Sequence, residues 1–365
     1  MLTKNGCFPT ILVTQELRLG YIADYRSFEI MSAADLTTDV WRIDDTAFPA
    51  EAPIQDRIRF LLRYAILAPS SHNSQPWSFR IDGKTVHIHA DESRWLDVAD
   101  SDRRELLISL GCALENLLVA AAHFGFETTV EYGFGEEEPV ASVQVAPMGR
   151  AEGTDDESLF EAIPARRTSH GAFEDRPIPS TLLDRFRAMG RDEAVDVMLV
   201  VDAELKGRIA ELQFGADERQ MADPAYRREL GHWIGMGALG ASWLMARVGQ
   251  LAVTYLDMGG REASKNSKLI ERAPIVAVLS TSVDTQTARV QTGQVFERLM
   301  LAATGDRVAV HPMSQILERP ELKRELANEL GIEPAIPQHL FRLGYPRNEP
   351  EAAHTPRWPV SAVLR

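Results

Sequence analysis

Cysteine is scarce in this chain: Cys7 and Cys112 are the two in 365 residues. That count excludes a disulfide framework and a structural zinc site. No run of roughly 18 apolar residues is present, so no membrane-spanning segment is expected. Positive charge is also short, with 39 Lys plus Arg against 53 Asp plus Glu and a net charge of −14. Such a chain repels nucleic-acid phosphates and anionic lipid wherever it lacks a local basic patch. The apolar run near the start, Ile11 to Val13, is shorter than the core of about 7 to 15 residues that a signal peptide needs. A cytoplasmic setting is expected. The sequence also contains no Walker loop, no Gly-x-Gly-x-x-Gly fingerprint and no catalytic-triad motif.

What remains is an ordinary globular composition, 45% hydrophobic and 25% charged, at a length that suggests two domains or one compound one. Residues 1 to 50 read as an N-terminal extension, partly disordered, because residues 1 to 30 show no helical or strand period. Met31, followed by Ser-Ala-Ala-Asp, resembles a natural start with a helix N-cap.

From Asp56 to Leu67 the apolar residues recur at helical spacing until Pro69 stops them. Trp77 to Ile81 and Val86 to His89 flank Asp82-Gly83, a hairpin signal. Arg104 to Phe124 reads as a long helix so apolar that both faces should be buried, which makes Cys112 a buried structural thiol. Strands are expected near Thr128 to Tyr132 and Ala141 to Val145, and residues 146 to 158 read as a linker. Beyond it come helices at Leu159 to Ile163 and Thr181 to Met189, then a strand at Val195 to Val201. Gly293-Gln-Val-Phe-Glu-Arg-Leu-Met-Leu-Ala-Ala repeats the pattern of Gly111-Cys-Ala-Leu-Glu-Asn-Leu-Leu-Val-Ala-Ala. Two such helices packed through their small residues would form the centre of a pseudo-twofold unit. The fold expected is α+β: two pseudo-symmetric halves, 51 to 150 and 159 to 365, with mostly antiparallel sheets flanked by helices.

Two stretches could carry chemistry. Pro69-Ser70-Ser71-His72-Asn73-Ser74-Gln75-Pro76-Trp77 is either a capped polar surface loop or a loop that presents hydroxyls and carboxamides to a planar ligand. Arg166-Arg167-Thr168-Ser169 is either a solvated basic face or a phosphate grip made of forked, charge-assisted bonds. Arg357 adds a third basic group in a Pro-rich tail. His87 and His89 share a strand face, a poor metal site without a third ligand.

At these residues the sequence resembles the FMN-binding nitroreductase superfamily, whose loops read Pro-Ser-Ser-x-Asn-x-Gln-Pro-Trp and Arg-x-Ser-x-(basic)-x-Phe. Arg342-Leu-Gly-Tyr345 and the late Arg357 resemble its C-terminus. The long chain with duplicated halves is similar to the Acg-like branch, in which one chain mimics the usual homodimer. The resemblance implies a nitroreductase-like fold with one FMN per chain. Pro69, Ser70, Ser71, Asn73 and Gln75 would cover the ring, and Arg166, Arg167, Thr168, Ser169 and Arg357 would hold the phosphate. Asn266 and Lys268 would approach the pyrimidine side, and the backbone at Met313 would face N5. The mirror site would be dismantled, since Gly190-Arg-Asp-Glu-Ala matches nothing.

No catalytic side chain is implied, because the chemistry is the flavin's. NADH or NADPH would serve as hydride donor and a nitroaromatic, quinone or similar flat molecule as acceptor, with the pseudo-dimer monomeric or homodimeric. One departure is Gly171, where the family usually has a cation beside the ring; His170 would replace it only in part. The segment from Phe214 to Asp257, with Trp233, Met236, Trp243, Met245 and Tyr255 among several glycines, reads as a lid or as plain helix packing. A lid would suit a non-catalytic flavin-binding or sequestering protein.

Overall fold

The computed structural model describes residues 36–135, 138–148, 156–190, 195–255, 259–348 and 354–365. Cys7, Met31, most of the expected N-terminal extension and the centre of the expected linker lie outside the described residues. So does most of the Gly190 stretch.

The first half begins with α1 (Ile54–Ala65), whose Ile58, Leu61, Leu62 and Ala65 are buried as their spacing demands. Strands β1 (Trp77–Asp82) and β2 (Thr85–Ala90) follow as a hairpin, and Gly83 at its turn has a φ of +57° that only glycine adopts freely. Helix α2 (Arg104–His123) leads into β3 (Phe126–Tyr132) and β4 (Ala141–Pro147), and the sheet order is β1-β2-β4-β3.

The second half holds α3 (Asp156–Ala165), α4 (Ser180–Ala188) and β5 (Val195–Val200). Four helices follow: α5 (Ala203–Ala222), α6 (Pro224–Gly235), α7 (Trp243–Tyr255) and α8 (Gly259–Glu271). Then come β6 (Ile275–Thr281), α9 (Gln286–Gly305), β7 (Ala309–Pro312), α10 (Pro320–Leu330), β8 (Ile336–Gly344) and α11 (Val360–Val363).

Its sheet order is β5-β6-β8-β7, the first half's order over again. Every pairing in both sheets is antiparallel. The α+β duplication is therefore real. It is disguised because α5 to α8 occupy the connection that is a two-residue turn in the first half.

Helices α2 and α9 hold the same place in each half and pack against each other. A Cβ on Gly111 would fall 2.0 Å from the Val290 carbonyl oxygen, and one on Gly293 would fall 2.1 Å from that of Ile108. The two backbones thus touch at a point that no other residue could occupy. Cys112 is buried there, its thiol donating to the Gly293 carbonyl at 3.3 Å. By length and composition α2 could cross a bilayer, yet it is mostly buried inside this fold.

The end of the chain leaves the second half and docks on the first. Arg365 N donates to Phe79 O at 2.7 Å, and α11 packs on α1 and β1. Thr37 and Arg357 exchange backbone bonds of 3.0 and 2.9 Å. The halves are interlocked through this tail.

Gly293→Ala should cost at least about 1–3 kcal/mol, the usual penalty of overpacking. Gly207 in α5 has nothing within 4 Å of its Cβ position, so Gly207→Ala should be neutral or stabilise by roughly 0.5–1 kcal/mol. Urea denaturation of the two variants reads the difference, and equal effects would mean that the helix pair is not tightly packed.

Candidate functional site

Leaving α1, the chain enters the polar loop at Pro69. His72, Asn73 and Gln75 take φ values of 50°, 54° and 52°, each costing on the order of 1–3 kcal/mol in a non-glycine residue. Specific bonds hold this strain. Ser70 Oγ accepts from Gln75 N at 2.9 Å, and Ser71 Oγ donates to Glu105 Oε2 at 2.8 Å. Asn73 Nδ2 donates to the carbonyls of Ala238 at 2.8 Å and Pro356 at 2.9 Å. Gln75 Oε1 accepts from Trp358 N at 2.8 Å. The carboxamides of Asn73 and Gln75 are thus turned inward onto the C-terminal tail, not outward toward a planar ligand. Pro69, Ser70 and Ser71 stay half-buried on the outer side. His72 is enclosed, and burial pushes its pKa down to about 4.

The basic residues of the second half meet this loop at its root. Arg166 donates through Nη2 to Leu67 O at 2.7 Å, and Arg357 reaches the carbonyls of Leu67 at 3.4 Å and Ala68 at 3.2 Å. Those oxygens follow the last turn of α1, where the helix dipole favours cations. Glu297 of α9 lies 3.6 Å from Arg166 Nε, and burial pushes its carboxyl up to about 7. Burial, and then the neighbouring Arg166, hold Arg357 well below the usual guanidinium range. The Nε atoms of both arginines are buried without a hydrogen-bond partner.

Trp41 roofs the pair, its ring 5.7 Å from the Arg166 guanidinium and 4.9 Å from that of Arg357. His354 stacks on Trp41 with centroids 4.0 Å apart, and Arg167, which is exposed, comes within 3.5 Å of His354 Nε2.

The expected phosphate grip is therefore divided. Arg166 and Arg357 are buried and committed to carbonyls, while Arg167 is exposed beside His354 and Ser169 is half-buried. Thr168 bridges Val310, and Ser169 N donates to Val310 O at 3.0 Å. Arg342 of β8 donates to Gly171 O at 2.6 Å, which fixes the loop against that strand. It also donates from Nε to His311 Nδ1 at 3.0 Å, and His311 Nε2 lies 2.8 Å from His170 Nδ1. Burial, Lys265 and Arg342 push His170 down, so it is a poor cation to stand in at Gly171.

The remaining expected residues are scattered. Asn266 is buried and donates to Asp217 Oδ2 at 3.0 Å, while Lys268 is exposed. Met313 is fully buried in the core with its N–H bonded to Leu340 O at 2.8 Å. That backbone donor is taken, and the side chain is packing.

The segment read as a lid or as packing is divided: α6 packs inward, whereas α7 exposes Leu244, Val248 and Leu251. Trp233 is buried with Leu96, Ala99, Met221, Tyr226 and Ala238. Gly231 and Gly235 admit Thr254 and Gln250 of α7 and are not hinges. Met245 and Tyr255 are exposed, and Asp257 lies outside the described residues. Glu229 of α6 accepts from the N–H groups of Val98 at 3.1 Å and Ala99 at 2.9 Å. It borders a cleft of about 330 Å³ that also includes Trp95 and Trp233.

Sequence reasoning missed Trp41, His354, His311 and the fixing role of Arg342. Trp41 lies more than 300 positions from Arg357 along the chain, and no local pattern announces such a pairing.

No protein-family model matches the chain. A Mycobacterium tuberculosis protein provisionally named NAD(P)H nitroreductase Rv3131 is 27% identical over 333 residues, covering 86% of this chain and 92% of its own. A second from that organism, provisionally named NAD(P)H nitroreductase acg, is 27% identical over 323 residues, covering 85% and 95%. Among solved structures, the FMN-dependent nitroreductase NfnB of Mycobacterium smegmatis, in complex with NADPH, aligns with a TM-score of 0.41 at 20% identity. It covers 57% of this chain and 97% of its own. These two sequence similarities run along most of the chain.

Glu297 yields a pH prediction. Unfolded, a glutamate titrates near 4.5; in this fold Glu297 does so near 7. The folded state binds the proton more tightly, so the stability from this group is complete below about 4.5 and is lost as pH rises through 7. Glu297→Gln should gain roughly 2–3 kcal/mol on wild type between pH 5 and pH 8. A flat difference across that range would show Glu297 ionised throughout.

Proposed function

We propose that this chain is an FMN-binding oxidoreductase of nitroreductase type, acting in the cytoplasm. It takes hydride from NADH or NADPH and passes electrons to a nitroaromatic, a quinone or a similar flat acceptor. The observation that carries the reading is the meeting of the first-half loop with the second-half basic residues. Arg166 and Arg357 cap the loop's root, while Asn73 and Gln75 clasp Pro356 and Trp358. The relation to the Acg-type proteins supports the same reading.

The donor chemistry suits a phosphorylated flavin. The cluster holds three arginines, the two buried ones have orphaned Nε atoms, and the carboxyl beside them, Glu297, is half-protonated near neutrality. An anion would relieve that imbalance. Arg167 and Ser169 are the residues proposed to hold the phosphate, with the buried charges of Arg166 and Arg357 behind them and Pro69, Ser70 and Ser71 against the ring. Bound there, FMN would supply the hydride and electron transfer. The chain's part is to anchor it at one site per chain.

A second reading, a protein that sequesters flavin without turnover, is favoured by one feature. The turn after α6 is tied to the loop through Asn73 and Ala238, and Glu229 clamps α6 to the first half. A site fastened in this way would react slowly with NADPH. Steady-state oxidation of NADPH in the presence of a nitroaromatic decides between the readings, because a sequestering protein would show negligible turnover.

Arg167→Ala removes a charge-assisted contact worth roughly 1.5–3 kcal/mol, so FMN affinity should fall about 10- to 150-fold. Riboflavin, which has no phosphate, should bind both proteins alike. Equal losses for the two flavins would assign Arg167 to folding instead.

A further inference from the structure

We infer that His354 is a further residue of the phosphate site, one that takes up a proton when the anion binds and so couples FMN binding to pH. The inference rests on the FMN reading above and deepens it.

The geometry holds His354 in place. Trp41 donates through Nε1 to Thr355 O at 2.9 Å, and the His354 ring lies on the Trp41 ring, 4.0 Å away and tilted by 14°. Stacking fixes the plane of the imidazole and leaves its edge for polar contact. That edge meets Arg167, whose Nη2 is 3.5 Å from Nε2. Beneath Trp41 lie the guanidiniums of Arg166 and Arg357. His354 is thus the one imidazole that stacks over this pair of arginines among the described residues.

The charges make this a switch. Among the described residues, the charged groups acting on His354 are Arg167, Arg166 and Arg357, all cationic. With burial they push its pKa down to about 4, so the ring is neutral at pH 7. A phosphate monoester carries about −1.5 to −2 charges at pH 7. Placed among these arginines it offsets much of their positive field, and an oxygen in contact with the ring favours the imidazolium. Protonated, His354 can donate a charge-assisted bond to a phosphate oxygen. A group whose pKa rises on binding strengthens the complex at low pH and loses that contribution as pH rises through the bound-state value. The second ionisation of the phosphate itself, near pH 6, works in the opposite direction. The comparison must therefore be made between proteins at each pH.

FMN, riboflavin and inorganic phosphate are titrated into the flavin-free full-length chain at about pH 6 and pH 8. Wild type, His354→Gln and His354→Lys are compared. At pH 6 wild type should bind FMN at least about tenfold more tightly than His354→Gln, the value of one charge-assisted bond. That ratio should shrink toward unity at pH 8. His354→Lys, charged at both values, should hold its advantage over His354→Gln across the range. Calorimetry in two buffers of different ionisation enthalpy should show protons taken up by wild type and fewer by His354→Gln. Riboflavin should not distinguish the three proteins.

A wild-type to His354→Gln ratio that does not change with pH would overturn the proposal, as would riboflavin losing affinity alongside FMN. If neither flavin binds, the FMN reading fails, and thermal protection by inorganic phosphate tests the anion site alone. Protection stronger in wild type than in His354→Gln at pH 6, with the gap closing at pH 8, would sustain the role of His354. No protection would overturn it.

Discussion

The backbone contact between Gly111 and Gly293 is the constraint from which the rest follows. With no Cβ on either side, α2 and α9 approach until Cα atoms and carbonyls touch, closer than any side chain permits. That crossing is the pseudo-twofold centre. The two sheets repeat one strand order around it, and the surfaces beside it are interfaces between halves. A site built there draws residues from both halves of a single chain.

Such an interface is also where buried charge collects. Arg166 and Arg357 reach across it to the carbonyl end of α1, and α9 contributes Glu297 from the other side. Buried charges persist only when they are paired or hydrogen-bonded, and here the compensation is incomplete. Two guanidinium Nε atoms and both Glu297 carboxylate oxygens are buried without hydrogen bonds. An anion is the natural complement to the arginines. Trp41, with His354 stacked upon it, closes the cluster from outside. The same pair of halves is not symmetric in use. The helices α5 to α8 enlarge one half alone, and α6 lies against residues 95–99 of the other.

Much of the fold could be read from the sequence, because its signals are local. Period and punctuation delimit α1, the β1–β2 hairpin and α2 within a few residues. The Gly111 and Gly293 repeats mark the helix pair, since close approach demands small residues wherever it occurs. What the sequence concealed is non-local. Nothing near Trp41 shows that it will cover Arg357, and nothing in Asn73 or Gln75 shows which way a carboxamide turns. Their direction depends on a tail that arrives nearly 300 residues later. Met313 illustrates the limit differently: a motif match suggested a backbone that faces a ligand, and its N–H is bonded to Leu340 O just past the end of β7. The arginine loop was legible as basic chemistry. Its division into two buried arginines and one exposed was not, because burial is a property of the assembled halves.

The central claim is that the interlocked halves make one anion-anchored flavin site and not two. Its most direct test is the visible spectrum of the purified protein, reconstituted with excess FMN and freed of unbound flavin, with the bound flavin released by denaturation and counted. The account predicts flavin bands and one FMN per chain. Two FMN per chain, FAD in its place, or no retained flavin would contradict it.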